Sequence, residues 1–176
     1  RELTGSERIL SEARQLDLVG VRKIGERDLA FGKERGQRLV IEIEVLVEHA
    51  SLIDDEGIRM AKERGTYLVM DIYNDDYILA EYKRLGYPQK ILDKERLVGR
   101  TQRENFRKAA LAGAKLAYGT DSGVYPHGWN GKQFAKMVEW GLTPMQAIQA
   151  ATVNAADLLG WSDRVGELTA GHYADL

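Results

Sequence analysis

Cysteine is absent from the 176 residues of the chain, which excludes a disulfide framework and any thiolate metal site. Histidine is scarce: His49, His127 and His172 are the three present. A metal would have to be held by these, by carboxylates or by a modified lysine. Charge of neither sign dominates, because 25 basic and 27 acidic residues leave a formal net charge of -2. These charges are spread along the whole sequence, so no basic face for nucleic acid or anionic lipid is expected. No apolar run approaches the roughly 20 residues that span a bilayer, and the first residues lack the apolar centre of a secretory signal. A cytoplasmic protein with neither nucleic acid nor membrane as partner is the expectation. The remainder, 44% hydrophobic and 30% charged residues, suits one soluble domain with a substantial core.

From about residue 45 onward, short β-favouring runs alternate with helical segments, the pattern of βα units on a parallel sheet. Val45-Leu46-Val47 is the first run and ends at Glu48-His49. Asp54 is placed to cap a helix carrying Ile58, Met60 and Ala61, which should stop at Gly65. The second run, Thr66 to Met70, ends in a polar cluster of Asp71, Tyr73, Asn74, Asp75 and Asp76. Residues 76–92, with Tyr77, Tyr82, Tyr87 and Pro88, read as a short helix and then a loop. Asp93 is expected to open a longer helix, with Leu97, Val98, Phe106, Ala109, Ala110 and Leu111 on its apolar face and Gly113 at its end. The third run, Ala114 to Tyr118, leads into Gly119-Thr120-Asp121-Ser122-Gly123. A helix over about 131–140 follows, then a capping box at Thr143-Pro144-Met145-Gln146 that predicts one helix to Leu159. Gly166 to Leu176 read as a turn and the start of a strand, whereas residues 1–44 show only one good strand, Leu39 to Val45, and are otherwise read as partly helical.

Polar residues thus fall at three strand ends: Glu48-His49, Asp71 with Tyr73, and Thr120-Asp121. In a parallel αβ barrel this is where functional side chains gather, and imidazole with carboxylate is an ordinary ligand set for zinc or a similar ion. Each residue also has a plainer reading. His49 alone would serve as a hydrogen-bonded structural residue, Asp121 as a turn former, and Asp71 as a loop or helix-capping residue. His127, in a Pro126-His127-Gly128 loop beside Trp129, fits either a substrate pocket or a packed surface loop. His172 is not expected to be catalytic, and the tyrosines at 77, 82 and 87 read as packing.

Several motifs together resemble the second half of the amidohydrolase superfamily. They are Val47-Glu48-His49-Ala50-Ser51, Gly119-Thr120-Asp121-Ser122, Thr152-Val153-Asn154-Ala155-Ala156 with Leu159-Gly160, and Gly166 through Gly171 to Asp175-Leu176. The stretches Leu68-Val69-Met70-Asp71-Ile72, Arg96-Leu97-Val98-Gly99 and Gln133-Phe134 resemble its prolidase-related and Xaa-Arg/Lys carboxypeptidase or dipeptidase branch. The likeness covers about residues 45–176. It implies an α/β fold: the C-terminal portion, about strands six to eight with their helices, of a TIM-type (β/α)8 barrel over 45–163. Residues 164–176 would begin the return to a small β-domain, and 1–44 stay unassigned.

The resemblance also implies a metal-dependent hydrolase of carbon–nitrogen bonds, with zinc as the divalent cofactor, one or two ions, and a small peptide or N-acyl amino acid as substrate. His49 would be a metal ligand. Asp121 would bind metal and serve as the catalytic base, moving a proton from the metal-activated water to the leaving nitrogen. Asp71, Tyr73 and His127 would contact substrate. A complete enzyme of this kind has further ligands, a His-x-His pair, a lysine and another histidine, that cannot be placed here. The chain is therefore expected to be cut short at both limits of the likeness and to hold metal weakly. Alone it would be an inactive fragment, a self-associating assembly module, or a half-site completed by a second chain. A barrel enzyme for phosphorylated sugars would need a glycine-rich phosphate loop, and no convincing one is present.

Overall fold

The computed structural model describes residues 46–173. The expected partly helical segment 1–44, with its strand from Leu39 to Val45, lies outside these residues, as do Ala174, Asp175 and Leu176. Three parallel strands form one sheet in the order β1 (Leu46–Glu48), β2 (Tyr67–Val69) and β3 (Leu116–Ala117). Leu46 pairs with Tyr67, and Val69 pairs with Ala117. Their parallel order requires crossovers, and helices supply them, as the alternating pattern implies.

Helix α1 (Asp55–Arg64) joins β1 to β2 and follows local rules closely. Asp54 accepts from the Gly57 amide at 2.7 Å, Ile58, Met60 and Ala61 are buried, and the chain turns out of the helix at Gly65 with φ 69°. The β2–β3 crossover contains α2 (Asn74–Tyr77), a π-helical turn at Ile78–Tyr82, and the 24-residue α3 (Gln89–Ala112). Helix α3 starts after Pro88 rather than at Asp93. Asp93 lies one turn inside, where it accepts from Gln89 at 2.9 Å and Arg96 at 2.7 Å. It braces the first turn instead of opening it.

The buried stripe of α3 is Leu92, Gly99, Gln102, Asn105, Phe106 and Ala109, at helical spacing. Leu97 and Leu111, expected on the apolar face, are 73% and 72% exposed. Each is two residues from a buried position, about 200° around the helix. Gly99 sits where α3 crosses Asp75: a Cβ there would lie 2.1 Å from the Asp75 carboxyl group.

Beyond β3 come α4 (Lys132–Glu139), α5 (Pro144–Ala151) and α6 (Val153–Leu159). Thr143 and Gln146 form the expected capping box, with Gln146 N–H donating to Thr143 Oγ1 at 3.2 Å. The single helix expected from Thr143 to Leu159 is broken at Thr152. That break serves the outer edge of the sheet. Asn154 Nδ2 donates to the Leu116 carbonyl at 2.8 Å, and Tyr118 N–H donates to the Ala150 carbonyl at 3.0 Å. Polar groups along β3 that have no neighbouring strand among the described residues are thereby satisfied. Through Tyr173 the chain is in turns, and no strand begins among the described residues after 163.

The core lies between the sheet and α1, α3, α4 and α5. Val47, Leu68, Met70, Ile72, Phe106, Ala109, Leu116, Met137, Ala147 and Ala150 form one cluster. Leu68, on the middle strand, is fully buried within this cluster. Gly119 is required by the close approach of β2 and β3: a Cβ there would lie 2.3 Å from Val69 Cγ1. Among the described residues no helix is long and apolar enough to cross a membrane.

Candidate metal centre

The sheet is short, and its three strands release their chain at the same end. His49 follows β1 directly, Asp71 comes two residues after β2, and Asp121 sits in the loop after β3. These three side chains each offer one ligand atom within 4.8 Å of the others. The backbone reaches this arrangement by unusual means: His49 has φ 61°, Ala50 has φ 46° and Asp121 has φ 45°. Non-glycine residues in the left-handed region are uncommon, and they concentrate at functional sites where the surroundings hold them.

The His49 and Asp71 side chains touch. His49 Nδ1 and Asp71 Oδ1 are 2.9 Å apart, and this contact with the Asp71 carboxylate raises the imidazole pKa above its ordinary value. Burial opposes the shift, while the charges of Asp121 and Glu48 add to it. The local field is therefore negative. One imidazole and two carboxylates in a negative field match the donor chemistry of a zinc-type divalent ion.

Buried amides surround the pair. Gln102 Nε2 donates to Asp71 Oδ1 at 2.9 Å and to the His49 carbonyl at 3.1 Å. Asn74 Nδ2 donates to Asp71 Oδ2. Gln133, wholly buried on α4, donates from Nε2 to the Met70 carbonyl at 3.2 Å and to the Gly119 carbonyl, and accepts from the Tyr73 amide at 3.4 Å. It ties together the backbone that precedes Asp71 and the backbone that precedes Asp121.

Tyr73 is buried beside the cluster and meets Tyr125 edge-on at 5.1 Å. Tyr77 extends this aromatic group to Tyr82 at 6.1 Å, Tyr125 at 6.1 Å and Trp129 at 5.7 Å. The tyrosines read from the sequence as packing do pack, and burial raises the phenol pKa of Tyr82 and Tyr125, with Asp121 adding to the effect. Lys132 Nζ lies 3.4 Å from the Trp129 ring centre. His127 stays outside the three-residue cluster, with Nδ1 3.2 Å from Ser122 Oγ in an exposed loop. His172 Nε2 instead lies 3.0 Å from the Ser162 carbonyl, at the far end of the described chain.

A second acidic group adjoins the site. Asp75 pairs with Arg103 at 3.2 Å, and Asp76 pairs with Arg103 at 2.9 Å and Lys136 at 2.8 Å. Glu95 on α3 faces Asp75; burial, then the neighbouring Asp75 carboxyl, pushes Glu95 up to about 8, so it carries the proton of the pair. Gln102 and Glu95 went unnoticed in the sequence, while Asn74 was noted only as part of a polar cluster and Gln133 only as part of a family-like stretch. Gln102 had a detectable signal, being a polar residue at helical spacing with Phe106 and Ala109.

A parallel α/β unit whose strand ends converge a histidine and two aspartates defines a protein with a candidate divalent-metal centre. The Amidohydrolase family model matches residues 30–176, and the chain belongs to that family. The family's fold is TIM-barrel-like, and the three described strands are a partial α/β unit of that kind. The ochratoxinase of Aspergillus niger is 30% identical over 132 residues, covering 74% of this chain and 27% of that protein. A solved Xaa-Pro dipeptidase with methionine bound in its active site is 38% identical, with a TM-score of 0.67 over 73% of this chain and 32% of that one. A prolidase complexed with N-methylphosphonate-L-proline is 25% identical, with a TM-score of 0.66 over 74% of this chain and 32% of that one. The chain spans 27% to 32% of the length of these relatives.

Proposed function

We propose that β1, β2 and β3 are strands six to eight of a (β/α)8 barrel, and that the protein serves metal-dependent hydrolysis of an amide bond in dipeptides or N-acyl amino acids. One observation carries the reading: His49, Asp71 and Asp121 leave three successive strands and come within 4.8 Å of one another. Likeness to the Xaa-Pro dipeptidase and the prolidase supports a dipeptide substrate, and likeness to ochratoxinase supports the wider amide class.

His49 and Asp121 would hold the ion, with zinc the metal their donors suit. When bound, such an ion polarises a carbonyl and brings the pKa of its water toward about 7. The exposed Asp121 carboxylate is free to take the proton from the attacking water. As the carbon–oxygen bond forms and the carbon–nitrogen bond breaks, Asp121 returns that proton to the leaving nitrogen. Tyr73, with Tyr125 behind it, and His127 border the substrate. Lys132, over the Trp129 ring, is placed for a terminal carboxylate.

The test is metal analysis of the purified chain together with assay on Xaa-Pro dipeptides and N-acyl amino acids. About one equivalent of zinc, and a loss of at least about 100-fold in rate for Asp121→Asn, is the expected result. Less than about one tenth of an equivalent with no hydrolysis would sink it.

A second reading has its own observation. With Asp71 engaged by His49, Gln102 and Asn74, the described residues of the cluster offer two donors, His49 and Asp121, two short of a tetrahedral zinc site. Residues outside 46–173, or another chain, would complete it. Mass in solution with and without zinc tests the latter: a metal-dependent dimer supports a shared site, and a strictly monomeric, metal-indifferent species counts against it.

A further inference from the structure

We propose that Asp71 and Gln102 are positioning residues that lock the His49 ring, so that Nδ1 carries its hydrogen and the Nε2 lone pair is the one offered to a metal. The proposal rests on the reading of His49 as a ligand, and it gives Asp71 a role other than the substrate contact implied by the resemblance.

The hydrogen-bond inventory leaves few alternatives. Asp71 is 6% exposed, and both of its carboxylate oxygens are engaged, Oδ1 by His49 Nδ1 and Gln102 Nε2, Oδ2 by Asn74. A carboxylate only accepts, so the imidazole nitrogen facing it must be the one that donates. Gln102 has one amide nitrogen with two hydrogens, and both are used: one on Asp71 Oδ1, the other on the His49 carbonyl. Both targets are acceptors, which fixes the amide with its nitrogen toward them.

Gln102 therefore holds the ring and the backbone of the same residue. This matters because the His49 backbone is left-handed, at φ 61°, and needs its neighbours to keep it there. One turn farther along α3, Asn105 Nδ2 donates to the Ser51 carbonyl at 3.1 Å. Two buried amides of one helix thus grip residues 49–51. A metal-binding histidine commonly has its other nitrogen held by a carboxylate, which orients the ring and makes it the more basic ligand. Here the carboxylate is Asp71, and α3 braces it.

The experiment uses the full chain with 15N-labelled histidine, metal-free, at a pH where His49 is neutral. Two-bond nitrogen–proton correlations should show hydrogen on Nδ1 in the wild type. Asp71→Asn should convert the ring to a mixture of tautomers. Titration with Co2+ alone should then show about 10- to 100-fold weaker binding for Asp71→Asn and for Gln102→Met, a change that preserves side-chain volume. Hydrogen on Nε2 in the wild type overturns the proposal. So does a Gln102→Met chain that melts lower yet keeps its tautomer and metal affinity, since Gln102 would then be structural only. Should Gln102→Met fail to fold, the wild-type tautomer and Asp71→Asn still decide. A wild type that takes up no Co2+ defeats the ligand reading of His49, while its tautomer still passes or fails the positioning claim.

Discussion

The two halves of the site are built differently. On the β1–β2 side, His49 and Asp71 are joined at 2.9 Å, and Gln102, Asn74 and Asn105 brace them from neighbouring elements. On the β3 side, Asp121 is exposed, and no side chain among the described residues hydrogen-bonds to its carboxylate. Its loop is held instead through Gln133, Asn130 and the Tyr118–Phe134 stack. The difference follows from the two chemistries. A neutral imidazole offers one lone pair, on one of two nitrogens, and must be told which. A carboxylate offers two equivalent oxygens, and a group proposed to move protons gains from being free to turn.

Substitutions can break or sharpen this contrast. The largest effect is expected from Phe106→Ala, beneath both halves: Phe106 is 1% exposed in the core that carries α3, so denaturant unfolding should show a loss of about 3–5 kcal/mol. Asp71→Asn probes the braced half alone. Its amide brings donors against Gln102, His49 or Asn74, and the same measurement should register about 1–3 kcal/mol.

Glu95→Gln, at the edge of the braced half, should act increasingly as pH rises from the ordinary carboxyl range toward 8. The folded chain raises the Glu95 pKa to about 8, so its stabilising contribution is complete below the ordinary carboxyl range and is lost as pH rises through 8. Glutamine cannot ionise. Melting curves should therefore show the variant above wild type at pH 9 by about 2–4 °C, an allowance for a group that solvent partly screens, with the gap narrowing at pH 5. A gap of equal size at both values would contradict the assignment. Asp121→Asn should change least, within about 0.5 kcal/mol, because asparagine tolerates the left-handed backbone and the carboxylate is exposed. If Asp121→Asn cost as much as Asp71→Asn, the two halves would not differ in the way described.

Much of the scaffold was legible because it obeys short-range rules. Asp54 and Thr143 cap helices as their positions imply, and Gly65 and Gly113 end them. Three β-favouring runs became three parallel strands, each followed by the polar residues noted at its end. The misreadings arose where a local preference met a packing demand. Asp93 looked like a helix start, but the helix had begun four residues earlier at Gln89, after a proline. The helix from Thr143 was broken at Thr152, where Asn154 reaches the Leu116 carbonyl.

The site was legible in its residue types and illegible in its wiring. His49, Asp71 and Asp121 stood out because each follows an apolar run. Gln102 did not, because its partner His49 lies 53 positions away and a glutamine on a helix is ordinary. Nor did anything local announce the left-handed backbone at His49 and Asp121.

The sequence by itself determined the alternation of strand and helix, the caps, and the presence of His49, Asp71 and Asp121 after three successive strands. Those features depend on side-chain period and on hydrogen bonds a few residues apart. Only the tertiary structure decided that the three side chains lie within 4.8 Å, that Asp71 faces the imidazole, and that α3 holds both. Such contacts join residues 22 to 72 positions apart, and no local preference encodes them; they exist once the sheet and its helices have packed.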